Sequence, residues 1–287
     1  MTPQGAGFRD ARGPTTTVIV ATYDQPGPLR LALAALGAQT DPDFDVIVAD
    51  DGTSPASHPL VEQCAREFGL RARVIWQADQ GFRKARAQNQ AALETDAELL
   101  VFLDGDCLPF RDLIAQYRRA ARAGEFCTGA VVFLDSAGTR ALAEPEVRAG
   151  AHERALTLRE RLRALDVHWR NVTNFAGRLE RPRIRGANFA VCAKLFRAVD
   201  GYDEIFGGYG KEDSDLRNRM RNSGARGISL WHRAFVAHLA RDVVTRAGVR
   251  ERPPADLYRA GKQLVRARIG LGSHGGAATA ASAEAEP

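Results

Sequence analysis

Short apolar runs alternate with helix-length segments through the first 123 residues of the chain. The runs are rich in β-branched residues and span 17–21, 44–49, 73–77 and 98–103. Segments with helical spacing follow them at 27–36, near 60–68, at 84–94 and at 112–123. Strands that are joined by helices lie parallel and are covered on both faces, so this order predicts an α/β fold. We expect a Rossmann-like, mostly parallel central sheet flanked by helices.

Polar segments follow three of these strands, at the same edge of the predicted sheet. ATYDQPG follows the first strand, ADDGTS the second and LDGDC the fourth. Ligands of open parallel sheets bind at the carboxyl ends of the strands. The chain has no GxxxxGK[ST] loop, and no GxGxxG follows the first strand, so an NTPase or a dinucleotide site is not indicated.

Two aspartates, Asp104 and Asp106, flank one glycine directly after the fourth strand. Like charges so close together cost free energy unless a positive charge lies beside them. Two carboxylates around a glycine can reach a hard divalent cation and the phosphate oxygens that it bridges. The tripeptide therefore predicts a site for a metal and a diphosphate, and a solvated turn is the alternative.

The ends of the first two strands carry candidate contacts to a nucleoside. Asp50 or Asp51 can accept a hydrogen bond from a uracil N–H or a ribose hydroxyl, although a plain Asp-Gly turn is the alternative. Thr22 and Tyr23 follow the first strand and can frame the base.

The segment QGFRKARAQNQ places Arg83, Lys84, Arg86 and Asn89 near the start of a predicted helix. A helix N-terminus with basic residues favours anions such as a diphosphate. Arg83 and Arg86 are three residues apart and can share one helix face. An exposed cationic helix without a binding role is the alternative.

The segment GGYGKEDSDL runs from a glycine-rich loop into another predicted helix. Glu212, Asp213 and Asp215 fall in its first turn, where capping alone accounts for one or two acids. A carboxylate presented from such a loop is a natural general base. Downstream, His238 is a candidate third metal ligand, with a structural histidine as the alternative.

Taken in order, seven segments resemble the inverting glycosyltransferases of family 2: ATYDQPG, VADDGTS, QGFRKARAQN, FLDGDC, RGANFA, GYDEIFGGYGKEDSDL and VAHL. Within that family they are most similar to members with a galactosyltransferase-like C-terminal segment, such as chondroitin-polymerase modules and β-1,4-galactosyltransferases. The resemblance covers residues 16–241. It implies the A-type glycosyltransferase fold with a smaller acceptor-side C-terminal part, a UDP-sugar donor and a bound Mn²⁺ or Mg²⁺.

The resemblance also implies roles for the donor-side residues. Asp50 or Asp51 would hold the uridine. Asp104 and Asp106 would hold the metal and the sugar nucleotide, with Asp106 the firmer metal ligand, and His238 would complete the metal shell.

On the acceptor side, the resemblance implies that Asp213 is the base that deprotonates the acceptor hydroxyl. Glu212 would hold the acceptor or donor sugar, and Asn188 would approach the substrates. The chain departs from many relatives at Arg241, where they have a second histidine, and Tyr209 stands near the position of a tryptophan in the animal enzymes.

The predicted function is metal-dependent, inverting transfer of a hexose or N-acetylhexosamine from a UDP-sugar to a glycan or lipid-linked acceptor. One alternative is a nucleotidyltransferase, which would normally carry a glycine-rich Lys/Arg signature after the first strand. Another is a carbohydrate-binding or scaffold protein with a decayed site, against which the intact acids speak.

The chain divides into five predicted parts. They are a flexible tail (1–15), a nucleotide-sugar-binding half (16–135), an acceptor and catalytic half (136–245), a C-terminal helix (246–274) and a disordered tail (275–287). Residues 148–185 hold ten arginines and four acidic residues. They form either a solvated helix face or a contact surface for an anionic acceptor or membrane.

Compartment and partners follow from what the sequence lacks. The four cysteines form no CxxC pair, no apolar run reaches the roughly 18 residues of a membrane span, and the start has no signal-peptide pattern. We therefore expect a cytoplasmic protein without a nucleic-acid partner. Apolar and basic residues in the C-terminal helix allow peripheral contact with the inner membrane face, and packing on the domain is the alternative.

Overall fold

The computed structural model describes residues 13–53, 57–173, 181–208, 210–240 and 255–274. In chain order the strands are β1 (Thr16–Thr22), β2 (Asp45–Asp50), β3 (Arg71–Trp76), β4 (Leu99–Asp104), β5 (Cys107–Pro109), β6 (Glu125–Thr128), β7 (Ala130–Phe133), β8 (Asn188–Cys192), β9 (Arg226–Ser229) and β10 (Phe235–His238). The first four agree with the predicted strands to within two residues at each end.

The helices lie where the sequence places them in the first half and differ in detail later. They are α1 (Pro26–Leu36), α2 (Ser57–Phe68), α3 (Lys84–Leu93), α4 (Leu113–Ala120), α5 (Ser136–Arg140), α6 (Glu144–Arg148), α7 (Leu158–Thr173), α8 (Ala193–Ala198), α9 (Glu212–Asn222) and α10 (Ala255–Ala260). Short 3₁₀ helices cover Ala151–Ala155 and Leu271–Ser273.

The central sheet has the strand order β3-β2-β1-β4-β8-β6-β9. Strands β1 to β4 are mutually parallel, and β8 runs antiparallel to both of its neighbours. The two predicted halves, 16–135 and 136–245, thus share one sheet, because β8 lies between β4 and β6. A second, smaller sheet has the order β5-β10-β7 and sets His238 directly across from Cys107.

Both faces are buried along β1, β2, β4 and β8, which explains why these strands are largely apolar runs without alternation, whereas the edge strand β3 is partly exposed. Successive β1 side chains point to opposite faces. Val18 and Val20 join the cluster that includes Leu33 of α1, whereas Ile19 joins Phe102 in the cluster on the other face. The helices are therefore held on two sides of the sheet, and its carboxyl edge is left for polar loops.

Helix α7 starts at Leu158 and continues to Thr173. A cap sets this start, because the Thr157 hydroxyl accepts a hydrogen bond from the Glu160 N–H at 3.3 Å. Helix α4 ends at Ala120, three residues early, because Ala121 is already extended.

The C-terminal helix predicted at 246–274 is described only from residue 255, and α10 has six residues. Beyond it the chain packs on the domain. The Asn222 side chain donates to the Lys262 and Leu264 carbonyls, and Arg268 Nε donates to Asp203 Oδ2 at 2.8 Å. These contacts correspond to the packed alternative. Among the described residues, no helix has the length and apolarity that crossing a membrane requires.

The predicted tails lie largely outside the described residues, which begin at residue 13 and end at 274. Thr15 is an exception, since its carbonyl accepts hydrogen bonds from the Glu98 and Leu99 N–H groups at 3.0 Å. The chain is therefore tied to β4 before β1 begins.

Candidate functional site

The strand ends that the sequence predicts to converge do so in register. Thr22 pairs with Asp50, Asp50 with Trp76, and Ala21 with Asp104. The loops after β1, β2, β3 and β4 consequently lie side by side at one edge of the sheet.

The two aspartates after β2 are buried and engaged with the protein. Asp50 Oδ1 accepts from the Thr53 N–H at 2.9 Å. Asp51 accepts from Gln77 Nε2 at 2.6 Å and from the Arg83 N–H at 2.7 Å, so it fixes the entry to α3. Burial raises the pKa of Asp51 to about 6, although these two hydrogen bonds oppose the rise. A carboxylate oxygen can accept more than one hydrogen bond, so these contacts leave room for a hydrogen bond from uridine. Contact of Asp50 or Asp51 with uridine stays a prediction.

Aromatic side chains border this strand-end region. The Tyr23 hydroxyl donates to Asp79 Oδ2 at 3.0 Å, and Trp76 Nε1 donates to the Thr53 carbonyl at 2.6 Å. Trp76 remains 39% exposed despite its size. The motifs in the sequence indicate Tyr23 and Thr22 but not Trp76, whose signal is an aromatic residue at the end of the third strand of the same edge.

A buried cation, Lys84, lies among three acids. Its ammonium group forms an ion pair with Asp104, and its side chain is 15% exposed. Burial would lower the pKa of Lys84, but the charges of Asp104, Asp213 and Glu212 outweigh burial and raise it. In the sequence Lys84 stands among the basic residues that favour a diphosphate and is one of only four lysines among 40 basic residues, but the structure pairs it with Asp104. It supplies a positive charge beside Asp104, within the protein itself.

Asp213 is held in place by its neighbours. Its Oδ2 accepts from the Gly186 N–H at 2.8 Å, and its Oδ1 accepts from the Tyr202 hydroxyl at 3.4 Å. Burial raises the pKa of Asp213, while Lys84 and the Gly186 hydrogen bond oppose the rise. The carboxylate is thus pre-oriented and more basic than an exposed aspartate, as a general base requires.

Glu212 adjoins Asp213 and is 6% exposed. Burial and the charge of Asp213 raise the pKa of Glu212 to about 7, and Lys84 opposes them. Among the described residues, Glu212 Oε2 has no hydrogen-bond partner. An unsatisfied buried oxygen is costly, so a ligand hydroxyl at this position would be bound favourably.

Asp106, Cys107 and His238 form a compact buried group with ligand atoms within 4.8 Å of one another. His238 Nε2 lies 3.6 Å from Asp106 Oδ1. His238 Nδ1 lies 2.7 Å from the Leu239 carbonyl, which fixes the proton on Nδ1 and leaves the Nε2 lone pair towards Asp106. A carboxylate and a neutral imidazole suit Mn²⁺, so these residues fit the predicted metal.

Asp104 does not belong to this group, because its carboxylate is paired with Lys84. Gly105 separates the two aspartates and lies close to β1, since a Cβ at this position would be 3.1 Å from the Ala21 carbonyl oxygen. The tight turn lets Asp104 and Asp106 follow one strand and still have different partners.

The remaining predicted residues, Asn89, Arg83 and Arg86, contact other parts of the protein. The Asn89 amide bonds the Tyr202 backbone in both directions and Glu204 Oε1. Arg83 donates to the Ala78 carbonyl at 2.6 Å, and Arg86 lies 3.9 Å from Glu204. For Asn89 this geometry supports a positioning role in place of a contact with the sugar nucleotide, because the side chain is fully buried.

Asn188 is likewise fully buried. Its Nδ2 donates to the Ala130 and Ala234 carbonyls, and its Oδ1 accepts from the Tyr117 hydroxyl at 2.6 Å. The side chain joins β8 to the small sheet that carries His238. The geometry therefore supports a positioning role for Asn188 as well.

Gly186→Ala should reduce turnover about 10²-fold, since an alanine Cβ would lie 2.8 Å from Asp213 Oδ1 and 3.0 Å from Lys84 Nζ. The Gly186 backbone is not in the left-handed region, so the effect is steric. Steady-state kinetics check it, with Gly27→Ala as control, where an added Cβ has no neighbour within 4 Å. Equal turnover in the two variants would show that activity does not depend on the position in which Gly186 holds the Asp213 carboxylate.

Comparisons with known proteins identify the family to which the chain is similar. A model described as glycosyl transferase family 2 matches residues 17–199, and one described as the N-terminal domain of galactosyltransferase matches residues 168–242. Validoxylamine A glucosyltransferase from Streptomyces hygroscopicus subsp. jinggangensis is 29% identical over 225 residues, which are 74% of this chain and 52% of the relative. The chain thus spans about half the length of that curated relative.

Two solved structures share the fold. One is the mannosyltransferase PcManGT from Pyrobaculum calidifontis in complex with GDP-Man and Mn²⁺, with a TM-score of 0.58, 18% identity and coverage of 96% of this chain and 77% of that chain. The other is GalNAc-T7 with UDP, GalNAc and Mn²⁺, with a TM-score of 0.58, 14% identity and coverage of 88% and 48%.

Proposed function

Since the chain belongs to glycosyl transferase family 2, we propose that it is a metal-dependent, inverting transferase that uses a UDP-sugar. It would move a hexose or N-acetylhexosamine to a hydroxyl of a glycan or lipid-linked acceptor. The family and the A-type glycosyltransferase fold predicted from the sequence are confirmed. The observation that carries the proposal is the Asp213 carboxylate, which is oriented by the Gly186 N–H. The positive charge of Lys84 acts on both Asp213 and Asp104, the last residue of β4, two positions before Asp106.

In the proposed reaction Asp213 accepts the proton of the acceptor hydroxyl. The acceptor oxygen forms a bond to the anomeric carbon from the face opposite the leaving group. The bond between that carbon and the diphosphate oxygen breaks, and its electron pair leaves with UDP. Attack from the opposite face inverts the configuration.

The surrounding side chains prepare this step. Lys84 lowers the pKa of Asp213 and Glu212 against their burial, so it favours the ionised base at neutral pH. Glu212 would accept a hydrogen bond from a sugar hydroxyl through its unsatisfied Oε2. Asp106 and His238 would hold Mn²⁺ or Mg²⁺. Such an ion supplies positive charge against the negative charge that develops on the leaving diphosphate.

Family membership favours this function over a nucleotidyltransferase. A decayed binding protein is disfavoured because all four acids are present: Asp106 and Glu212 are buried, Asp104 is paired with Lys84, and Asp213 accepts the Gly186 N–H. A cytoplasmic location and peripheral membrane contact remain proposals of the sequence analysis, as does the absence of a nucleic-acid partner.

Release of nucleoside diphosphate from a panel of UDP-sugars and GDP-mannose tests the proposal, with Mn²⁺ and with EDTA. We expect turnover of a UDP-sugar that falls at least about 10²-fold with EDTA, because the leaving diphosphate then lacks its counter-charge. NMR of the first-formed product should show an inverted anomeric centre. Binding of UDP without turnover would favour the decayed site. Turnover that is unchanged by EDTA would exclude a catalytic metal. Turnover of GDP-mannose alone would exclude a UDP-sugar as the donor.

A further inference from the structure

A cavity of about 350 Å³ opens between β7, α7 and the segment before β8. It is lined by β7, one face of α7, three arginines of segment 181–185 and Trp231. The volume is that of a small-ligand site.

Among the described residues, the lining is strongly cationic, with five arginines and one glutamate. Glu160 lies 3.9 Å from Arg163, and Arg170 pairs outside the lining with Asp166 at 2.8 Å. Four of the five arginines are exposed and Arg181 donates to Asn171 Oδ1 at 3.2 Å, so solvent screens part of the repulsion between the guanidinium groups and a bound anion would remove more of it. A guanidinium fork matches phosphate oxygens, and a phosphate presents more charge and more acceptors than one carboxylate.

Two further observations indicate a ligand rather than a solvated face. Arg185 is stacked against aromatic rings, 5.4 Å from the Trp231 centroid and 6.0 Å from that of Phe133. Trp231 is only 8% exposed, and within the described residues its buried Nε1–H has no hydrogen-bond partner. An unpaired indole N–H is costly, so an anion bound against Trp231 would be stabilised by accepting this hydrogen bond.

The cavity adjoins the candidate active site on the acceptor side. Phe133 of the lining pairs with His238 in the small sheet, and their ring centroids are 5.2 Å apart. Arg185 immediately precedes Gly186, whose N–H holds the Asp213 carboxylate. Two residues of the cavity lining, Phe133 and Arg185, are therefore direct neighbours of the predicted metal ligand and of the residue that holds the base.

We propose that this cavity binds the acceptor and that the acceptor carries a phosphate or diphosphate group. The inference rests on the proposed function, because it identifies the substrate class of the same site. The phosphate would lie among the arginines and the Trp231 N–H, which leaves a hydroxyl of the same molecule to reach Asp213. The phosphate can belong to a soluble sugar phosphate or to a lipid headgroup.

The outer face of α7 is relevant to whether the phosphate belongs to a soluble sugar phosphate or to a lipid headgroup. Its exposed apolar side chains recur at spacings of four and three residues, at Leu158, Leu162, Leu165, Trp169 and Val172. Arginines flank them, a pattern found on helices that lie at anionic lipid surfaces. The test below therefore includes a lipid arm.

Binding of phenyl phosphate to the full chain tests the proposal by calorimetry, with UDP and Mg²⁺ in excess to fill the donor site. We expect the double variant Arg163→Gln/Arg183→Gln to weaken binding at least about tenfold, because it removes two charge-assisted contacts. The control Arg159→Gln/Arg161→Gln changes two exposed arginines of α7 outside the cavity lining and should stay within twofold. Thermal unfolding midpoints of both variants verify folding.

Co-sedimentation with vesicles of phosphatidic acid in phosphatidylcholine distinguishes the sources. Loss of pelleting in the cavity variant but not in the control assigns the phosphate to a lipid. If the wild type binds phenyl phosphate but does not pellet with the vesicles, the phosphate belongs to a soluble acceptor. No phenyl phosphate binding by the wild type, or equal affinities in the two variants, would overturn the inference. Wild-type release of UDP from a UDP-sugar is measured in parallel, so failure of the transferase proposal is recognised separately.

Discussion

Replacing Asp213 with asparagine should reduce sugar transfer by about 10²–10⁴-fold, which is the usual contribution of a general base. Asparagine retains the shape of the side chain and an oxygen that can accept the Gly186 N–H. It cannot take a proton from the acceptor hydroxyl. The loss should therefore appear in turnover, and the affinity for UDP should remain within about twofold.

The same substitution separates catalysis from folding. Burial disfavours the charged form of Asp213, so a neutral amide relieves part of that cost and the thermal midpoint should not fall. Asp166→Asn is a suitable control, because this carboxylate is exposed on α7 and pairs only with Arg170 among the described residues. If Asp213→Asn kept the transfer rate of this control, another group would have to be the base.

Lys84→Met should give the largest loss of stability, about 3–5 kcal/mol, because it removes the positive partner of buried acids. Asp104 would lose its ion pair, and the charges of Glu212 and Asp213 would be left without the group that opposes their desolvation. Urea unfolding of the metal-free protein measures the effect. Lys194→Met is the matched control, since Lys194 is exposed on α8 and should change stability by less than about 0.5 kcal/mol.

The pH dependence of this loss identifies its cause. Without Lys84, burial raises the pKa of Glu212 and Asp213 still further above the values in the unfolded chain. The folded variant then binds more protons than the unfolded chain, so its stability falls as the pH rises through these pKa values. The gap to the wild type should therefore be widest near pH 8 and narrow towards pH 5. A gap that is independent of pH would indicate lost packing around the lysine stem instead.

Much of the architecture follows from local patterns. The runs 17–21 and 98–103 are apolar without alternation because both of their faces are buried, and β-strands form within one residue of each end. Asp106 and His238 come from distant positions, yet each lies at the end of an apolar run and could be identified there. The start of α7 could also be predicted from the sequence, because Thr157 and Glu160 have the spacing of a capping box.

Other roles depend on contacts between distant parts of the chain. Gly186 matters because Asp213 and Lys84 crowd it, and neither is its neighbour in sequence. Asn89 and Asn188 stand in motifs that favour ligand contact, but their amides are used by backbone carbonyls and a tyrosine in the interior. The pattern of residues does not reveal whether an amide faces a ligand or the backbone. The short α10 has a similar cause, since Asn222 and Asp203 fix the chain that follows it.

We propose above that Asp106 and His238 hold the metal of a transferase whose base is Asp213. Titration of Mn²⁺ in the presence of UDP, followed by electron paramagnetic resonance, tests it most directly. The account predicts that Asp106→Asn and His238→Gln each weaken Mn²⁺ binding at least about tenfold, while Asp213→Asn binds Mn²⁺ like the wild type. Unchanged Mn²⁺ affinity in both ligand variants would contradict it.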